Sequence, residues 1–117
     1  MRYLCLIYSN EAAEAKASPE ETQALFAAYG AFEGEIAPTG KKLGGDALQP
    51  TSTATSVRVR EGKVSLTDGP FAETKEQLGG FYLLDCENLD EALEWAARIP
   101  SAKTGTIEVR PIMEFEL

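Results

Sequence analysis

The sequence predicts an antiparallel α+β domain, and three observations carry that expectation. Short runs with the two-residue period of a strand alternate with two longer segments whose apolar residues recur every three or four positions. The helical segments start at cap signals, and the strand runs are bounded by Gly, Pro, Asn and Asp. At 117 residues, with 44% hydrophobic and 26% charged side chains, the chain can bury one core but not two, so a single domain over residues 1–117 is expected.

Residues 2–8, RYLCLIY, are apolar on both faces, with Tyr3, Cys5 and Ile7 on one side and Leu4, Leu6 and Tyr8 on the other. Such a strand is central in its sheet or lies at an interface. Ser18-Pro19-Glu20-Glu21 then reads as an N-cap serine, a proline at the first helical position and a glutamate that closes a capping box. Leu25, Ala28, Tyr29, Phe32 and Ile36 follow at steps of three and four, so a helix over about 19–37 turns one stripe toward a core. Gly30 and Gly34 inside it cost about 1 kcal/mol each relative to Ala, which fits close packing or a locally loose helix. Pro38-Thr39-Gly40 ends the helix, and Lys41 to Leu48 reads as a strand interrupted at Gly44-Gly45, where a bulge or a close approach is expected.

Ser56–Arg60 and Lys63–Thr67 alternate Val57, Val59, Val64 and Leu66 with polar neighbours around the two-residue loop Glu61-Gly62. That is a hairpin with one wet face. Phe81–Leu84 is a buried strand, and Asn88-Leu89-Asp90-Glu91 caps a helix carried by Leu89, Ala92, Leu93, Ala96 and Ile99 until Pro100. Thr106–Arg110 is the last strand, which Pro111 bends or places at an edge. The order is ferredoxin-like, βαββαβ with an extra β-hairpin: an antiparallel sheet with two helices on one face. The other face needs a cover, and since neither side of the first strand is polar, a second copy is expected to supply it, making a homodimer.

Nineteen acidic against eleven basic residues give a net charge of -8, and the cations are scattered. A phosphate-tracking surface needs clustered cations, so neither nucleic acid nor an anionic membrane is an expected partner. The apolar run from Tyr3 to Tyr8 is too short for a signal peptide core or a membrane span, and a cytoplasmic location is expected. Cys5 and Cys86 fall inside apolar strand patterns, where a thiol behaves as a small hydrophobe. Because the chain has no histidine, imidazole bases, triads and metal ligands are excluded. Asp68 and Glu73 alone are too few hard ligands for Ca²⁺ or Mg²⁺, so no metal and no cofactor is expected.

The stretch TDGPFAETKEQLGG, Thr67 to Gly80, has two readings. In one it is an ordered connection: Asp68-Gly69-Pro70 turns the chain, Phe71 plugs the core, Thr74 and Gln77 form a capping pair for a short helical turn, and Lys75 and Glu76 face water. In the other it sets Asp68, Glu73 and Lys75 around a pocket formed with the first helix, where an apolar wall would raise a carboxyl pKa toward neutral. Tyr3, Tyr8, Tyr29 and Tyr82 offer hydroxyls either to a cavity or to the core, and Arg110 beside Glu108 could hold a carboxylate or a sheet neighbour. The ligand-binding candidates are Tyr29, Asp68, Phe71, Glu73, Lys75 and Arg110, with Asp68 the one catalytic candidate.

Asp68-Gly69-Pro70-Phe71 resembles the signature of the DGPF-domain group within the YCII-related family. The similarity runs through Ala72 to Tyr82, resumes at Ile107-Glu108-Val109-Arg110-Pro111, and includes Leu43-Gly44-Gly45 and Leu89-Asp90-Glu91-Ala92. The resemblance implies a dimeric α+β barrel, two ferredoxin-like sheets packed face to face. Some relatives in that wider family carry a His-Asp pair in a cleft, which a chain without histidine does not share. The group's association with extracytoplasmic-function sigma factors implies a regulatory protein partner. Two functions follow: a module binding a small organic molecule in a cleft near the DGPF loop, or a cofactor-free lyase or isomerase with Asp68 as general acid or base and Glu73 or Lys75 tuning it. A third view, a dimer that serves only as another protein's partner, would leave no cavity.

Overall fold

The computed structural model describes residues 1–116. The elements follow as β1 (Arg2–Ser9), α1 (Glu11–Ala15), α2 (Pro19–Ile36), β2 (Lys42–Ala47), β3 (Thr55–Arg60), β4 (Lys63–Asp68), β5 (Gln77–Asp85), α3 (Leu89–Arg98) and β6 (Thr106–Pro111). Four strands form an antiparallel sheet in the order β2-β5-β1-β6, and β3 and β4 pair separately as a hairpin. The fold is therefore α+β and ferredoxin-like with an inserted hairpin, as the element order predicts.

Register decides which residues meet. Cys5 stands opposite Tyr82 on one side and Val109 on the other, and Tyr3 opposite Leu84, so these side chains share the helix-covered face. There they form a core with Phe32 and Ile36 of α2, Ala92 and Ala96 of α3, and Ile99. Phe32 packs 5.2 Å from Tyr82 and meets Trp95 edge-on at 6.1 Å, a geometry that aromatic quadrupoles favour. Burial pushes the Cys5 thiol up to about 11, which keeps it protonated and inert at neutral pH.

Both long helices begin as expected. Ser18 Oγ accepts from the Glu21 amide while Glu21 Oε1 accepts from the Ser18 amide, and Asn88 Oδ1 accepts from Glu91. Gly40, at φ +69°, closes α2 through a short 3-10 turn. The hairpin turns at Glu61 and Gly62, both with positive φ, as a two-residue loop matching strand twist requires. Among the described residues no helix is long and apolar enough to cross a membrane.

Four local readings need correction. Thr74 and Gln77 form no helical turn: Gln77 is drawn into β5 opposite Ser9, and its Nε2 instead donates to the Thr74 carbonyl at 2.5 Å. The residues 11–15 form a helix that apolar periodicity does not mark, started by Asn10, whose Oδ1 accepts from the Ala13 amide at 2.9 Å. Only the C-terminal half of the α2 stripe is buried, at Phe32 and Ile36; Leu25 and Ala28 are exposed. The hairpin also differs from a half-wet ribbon: Val57, Val59, Val64 and Leu66 share one face and are 56–67% exposed.

The Gly44-Gly45 interruption is a bulge with a close approach beside it. Lys42 pairs with Leu84 and Gly44 with Leu83, so Leu43 is the extra residue. A Cβ on Gly45 would lie 2.6 Å from Tyr82 Cδ1 and 2.7 Å from the Phe81 carbonyl oxygen, whereas a Cβ on Gly44 would meet nothing within 4 Å. Gly45→Ala should therefore destabilise the protein by about 1–3 kcal/mol in urea unfolding, and Gly44→Ala by less than about 1 kcal/mol; equal costs would contradict the assigned contact.

Candidate functional site

The N-terminal half of α2 lies across a cavity from the β2–β5 end of the sheet, and α1 closes the remaining side. Between them lies a cavity of about 660 Å³. Leu25 and Phe26 form its outer wall, Tyr29 and Ser101 its inner end, and Ile7, Gly45, Gly80 and Tyr82 line it from the sheet. Glycine makes the floor low at this point. Gly79 is the residue bulged out between the Ile7–Gly80 and Tyr8–Leu78 pairs, and neither it nor Gly80 has a side chain to fill the space.

Two polar pairs fix the interior. The Tyr29 hydroxyl and Ser101 Oγ share a hydrogen bond of 2.6 Å, and burial pushes the Tyr29 hydroxyl up despite that bond. Glu33 sits at the centre of the second: it accepts from Lys42 Nζ at 2.8 and 2.9 Å and from the Tyr82 hydroxyl at 2.9 Å. The Lys42 hydrogen bonds hold the Glu33 carboxyl below its ordinary value. Burial, reinforced by the bond to Glu33, pushes the Tyr82 phenol far up, so Tyr82 serves as a neutral donor. Lys42 Nζ also stands 5.2 Å from the Tyr82 ring centroid.

The acidic side of the cavity is built by secondary structure. Glu11 begins α1, takes hydrogen bonds from the Thr51 amide and hydroxyl at 3.0 and 2.7 Å, and so ties the 51–53 turn to the rim. Its own amide donates to Gln77 Oε1 at 2.9 Å, which anchors α1 to the start of β5. Glu14 and Glu21 also line it; Asp46, opposite Phe81 on the other face of the sheet, borders it through its backbone, and among the described residues no Lys or Arg belongs to the lining. Among the described residues no group of three or more His, Cys, Asp or Glu is arranged to hold a metal ion.

Of the residues expected in a site, Tyr29 lines the cavity; Asp68, Phe71, Glu73, Lys75 and Arg110 do not. Asp68 is the exposed last residue of β4, and the hairpin carries it, with the loop that follows, away from α2. The Gly69 amide donates to the Ala54 carbonyl at 2.6 Å and Ser56 Oγ donates to the Gly69 carbonyl at 2.8 Å, so the turn is bound to the hairpin base. Phe71 is 84% exposed and fills no core. Arg110 stands opposite Leu4, on the sheet face away from the helices. Glu33, Ser101, Phe26 and Asp46 carry no motif and were not candidates from sequence; for α1 the usable signal was Asn10 ahead of an alanine-rich acidic run.

Comparison with known proteins adds family and fold. A family model described as the YCII-related domain matches residues 1–116. An uncharacterized protein of Rhizobium meliloti (strain 1021) is 41% identical over 114 residues, covering 96% of this chain and 92% of that protein. Among solved structures, 5-chloro-2-hydroxyhydroquinone dehydrochlorinase (TftG) from Burkholderia phenoliruptrix AC1100, in complex with 2,5-dihydroxybenzoquinone, superposes with a TM-score of 0.54. The two share 16% identity, and the match covers 98% of this chain and 96% of that one. At that identity the likeness is one of fold.

The Glu33 network makes a pH prediction. Its folded-state pKa lies below the ordinary value of 4.5, so its stabilisation is complete above that value and is lost as pH falls through the lowered one. The Glu33 side chain is 39% exposed, which limits the effect to less than about 1 kcal/mol. Urea midpoints between pH 6 and pH 3, at intervals of about half a unit, should fall less steeply for Glu33→Gln than for the wild type; parallel curves would mean that the network contributes nothing to stability.

Proposed function

The chain belongs to the YCII-related domain family, and we propose that it binds a small organic molecule in the cavity between α1, α2 and the β2–β5 edge. The turn Asp68-Gly69-Pro70-Phe71 further supports assignment to the DGPF group of that family. What supports the binding reading most is the make-up of the cavity: about 660 Å³, with apolar walls and a few convergent polar groups held by their own hydrogen bonds. Such anchors lose little entropy when a ligand docks, because Tyr29 and Tyr82 are already fixed. That a dehydrochlorinase of the same fold is known with a small quinone bound is a precedent for the size of the occupant, not for its identity. A reaction run by Asp68 has no comparable support within one chain, since Asp68 is exposed and outside the cavity.

A second copy is the proposed cover for the open face of the sheet. Leu4 faces Leu83 and Leu6 faces Phe81 there, and these half-buried side chains form an apolar centre with no helix over it. Sheet-on-sheet packing would bury them at a spacing of about 10 Å and complete the α+β barrel.

Two measurements bear on these readings. In a thermal-shift screen of small metabolites, ligands that raise the wild-type melting temperature should lose that shift in Phe26→Ala. The unliganded stability of that variant should change by less than about 0.5 kcal/mol, because Phe26 is 74% exposed. Hits that survive Phe26→Ala would move the ligand out of this cavity. Sedimentation equilibrium should give a dimer for the wild type and a folded monomer for Leu6→Glu; a monomeric wild type would end the second proposal.

A further inference from the structure

On the premise that the cavity is a ligand site, the hydroxyls at its inner end narrow what can fill it. Tyr29 of α2 and Ser101, in the short 3-10 turn that follows α3, both line the cavity there. They share one hydrogen bond of 2.6 Å, and either oxygen can be its donor. Two hydroxyls carry two donor hydrogens, so whichever donates, one hydrogen is left over. Each oxygen has a partner, yet among the described residues no other hydrogen bond involves either of them, and the spare hydrogen has no acceptor in the protein. Ser101 is 6% exposed and Tyr29 packs against the core, so the cavity is where that hydrogen can be met. A donor left unpaired in such a place costs its full desolvation. Burial pushes the Tyr29 hydroxyl up, so both groups keep their protons at neutral pH.

The surroundings set the charge of the group that meets it. Among the described residues no Lys or Arg lines the cavity, and a carboxylate at the inner end would be buried without a countercharge. The Tyr82 hydroxyl is already given to Glu33, which leaves the Tyr29–Ser101 pair as the donor at this end. A carbonyl oxygen fits it, because it accepts and brings no hydrogen of its own to place among apolar walls. We propose that the cavity takes a neutral carbonyl compound whose oxygen accepts the spare hydrogen of the Tyr29–Ser101 pair and whose apolar body lies between Leu25 and the glycine floor at Gly45 and Gly80. The hydroxyl that donates to the ligand also accepts from its neighbour, which polarises its O–H bond and strengthens the donation.

Three probes of nearly equal shape separate the acceptor from fit and from charge: acetophenone, α-methylstyrene, in which a CH₂ group replaces the carbonyl oxygen, and benzoate. Each is titrated by NMR into isotope-labelled full-length protein, and the shifts followed are those of the Phe26, Gly45 and Gly80 amides. The ratio of the α-methylstyrene to the acetophenone dissociation constant should fall at least about fivefold from the wild type to the double variant Tyr29→Phe/Ser101→Ala. Comparing the ratio in two proteins cancels the different hydrophobicity of the probes. Taking away both hydroxyls together leaves neither one orphaned, so the double variant keeps its fold, which its amide dispersion checks. Tyr29→Phe alone leaves Ser101 one hydroxyl to donate and should show a smaller fall in the same direction. Leu25→Ala should weaken both neutral probes alike and leave the ratio unchanged. Benzoate should bind at least about tenfold more weakly than acetophenone. A ratio that falls in neither Tyr29→Phe nor the double variant would overturn the carbonyl anchor and leave the cavity a ligand site. Benzoate binding as tightly as acetophenone would overturn the assignment to neutral compounds. Absence of shifts at all three amides with all three probes would overturn the ligand site itself, and the inference with it.

Discussion

Phe32 packs against Tyr82 and edge-on against Trp95, and that contact determines where α2 lies on the sheet. With Ile36 one turn further on, it anchors the C-terminal half of the helix in the core, where aromatic and aliphatic burial are each worth about 1.5–3 kcal/mol. The helix is rigid over its length, so the anchored half dictates the path of the other. Its first turns are held out over the β2–β5 end, with Leu25 and Phe26 facing space rather than strands. The cavity is thus a consequence of the core: moving α2 down to fill it would pull Phe32 from between its two partners.

The sheet cooperates by lacking volume at the same place. Gly45 is required by its contact with the Tyr82 ring and Gly80 by the nearby Asp46 carbonyl, so neither position accepts a side chain that would raise the floor. Tyr82 links the two halves of the site, since its ring packs in the core on Phe32 while its hydroxyl donates to Glu33 at the cavity wall. Packing and polarity are coupled through that residue: the core contact fixes the ring, and the ring fixes the carboxylate that Lys42 neutralises.

The fold was legible because its signals are local and redundant. The Ser18 capping box, the Asn88 cap, the Glu61-Gly62 turn and the two-faced β1 each act through neighbours within a few residues or through simple burial. Family resemblance is carried by the same turns. The candidate site was far less legible. Tyr29 was readable as a hydroxyl on an apolar stripe, but Glu33 and Tyr82, or Tyr29 and Ser101, lie 49 and 72 residues apart, and only the tertiary path of α2 joins them. The stretch from Asp68 to Lys75 drew attention for the opposite reason: dense turn chemistry marks a defined backbone, and here it serves to bind the loop to the hairpin base.

That placement constrains any chemistry assigned to the loop. The bonds of Gly69 to Ala54 and Ser56 hold the start of the loop to the hairpin base, and Asp68, Phe71, Glu73 and Lys75 all lie outside the cavity lining. The apolar face of the hairpin, Val57, Val59, Val64 and Leu66, is exposed in the single chain, and an isolated two-stranded ribbon is marginal in water. Asp68 stands apart from the proposed ligand cavity, whereas the geometry of Tyr29, Glu33 and Tyr82 is complete within the single chain.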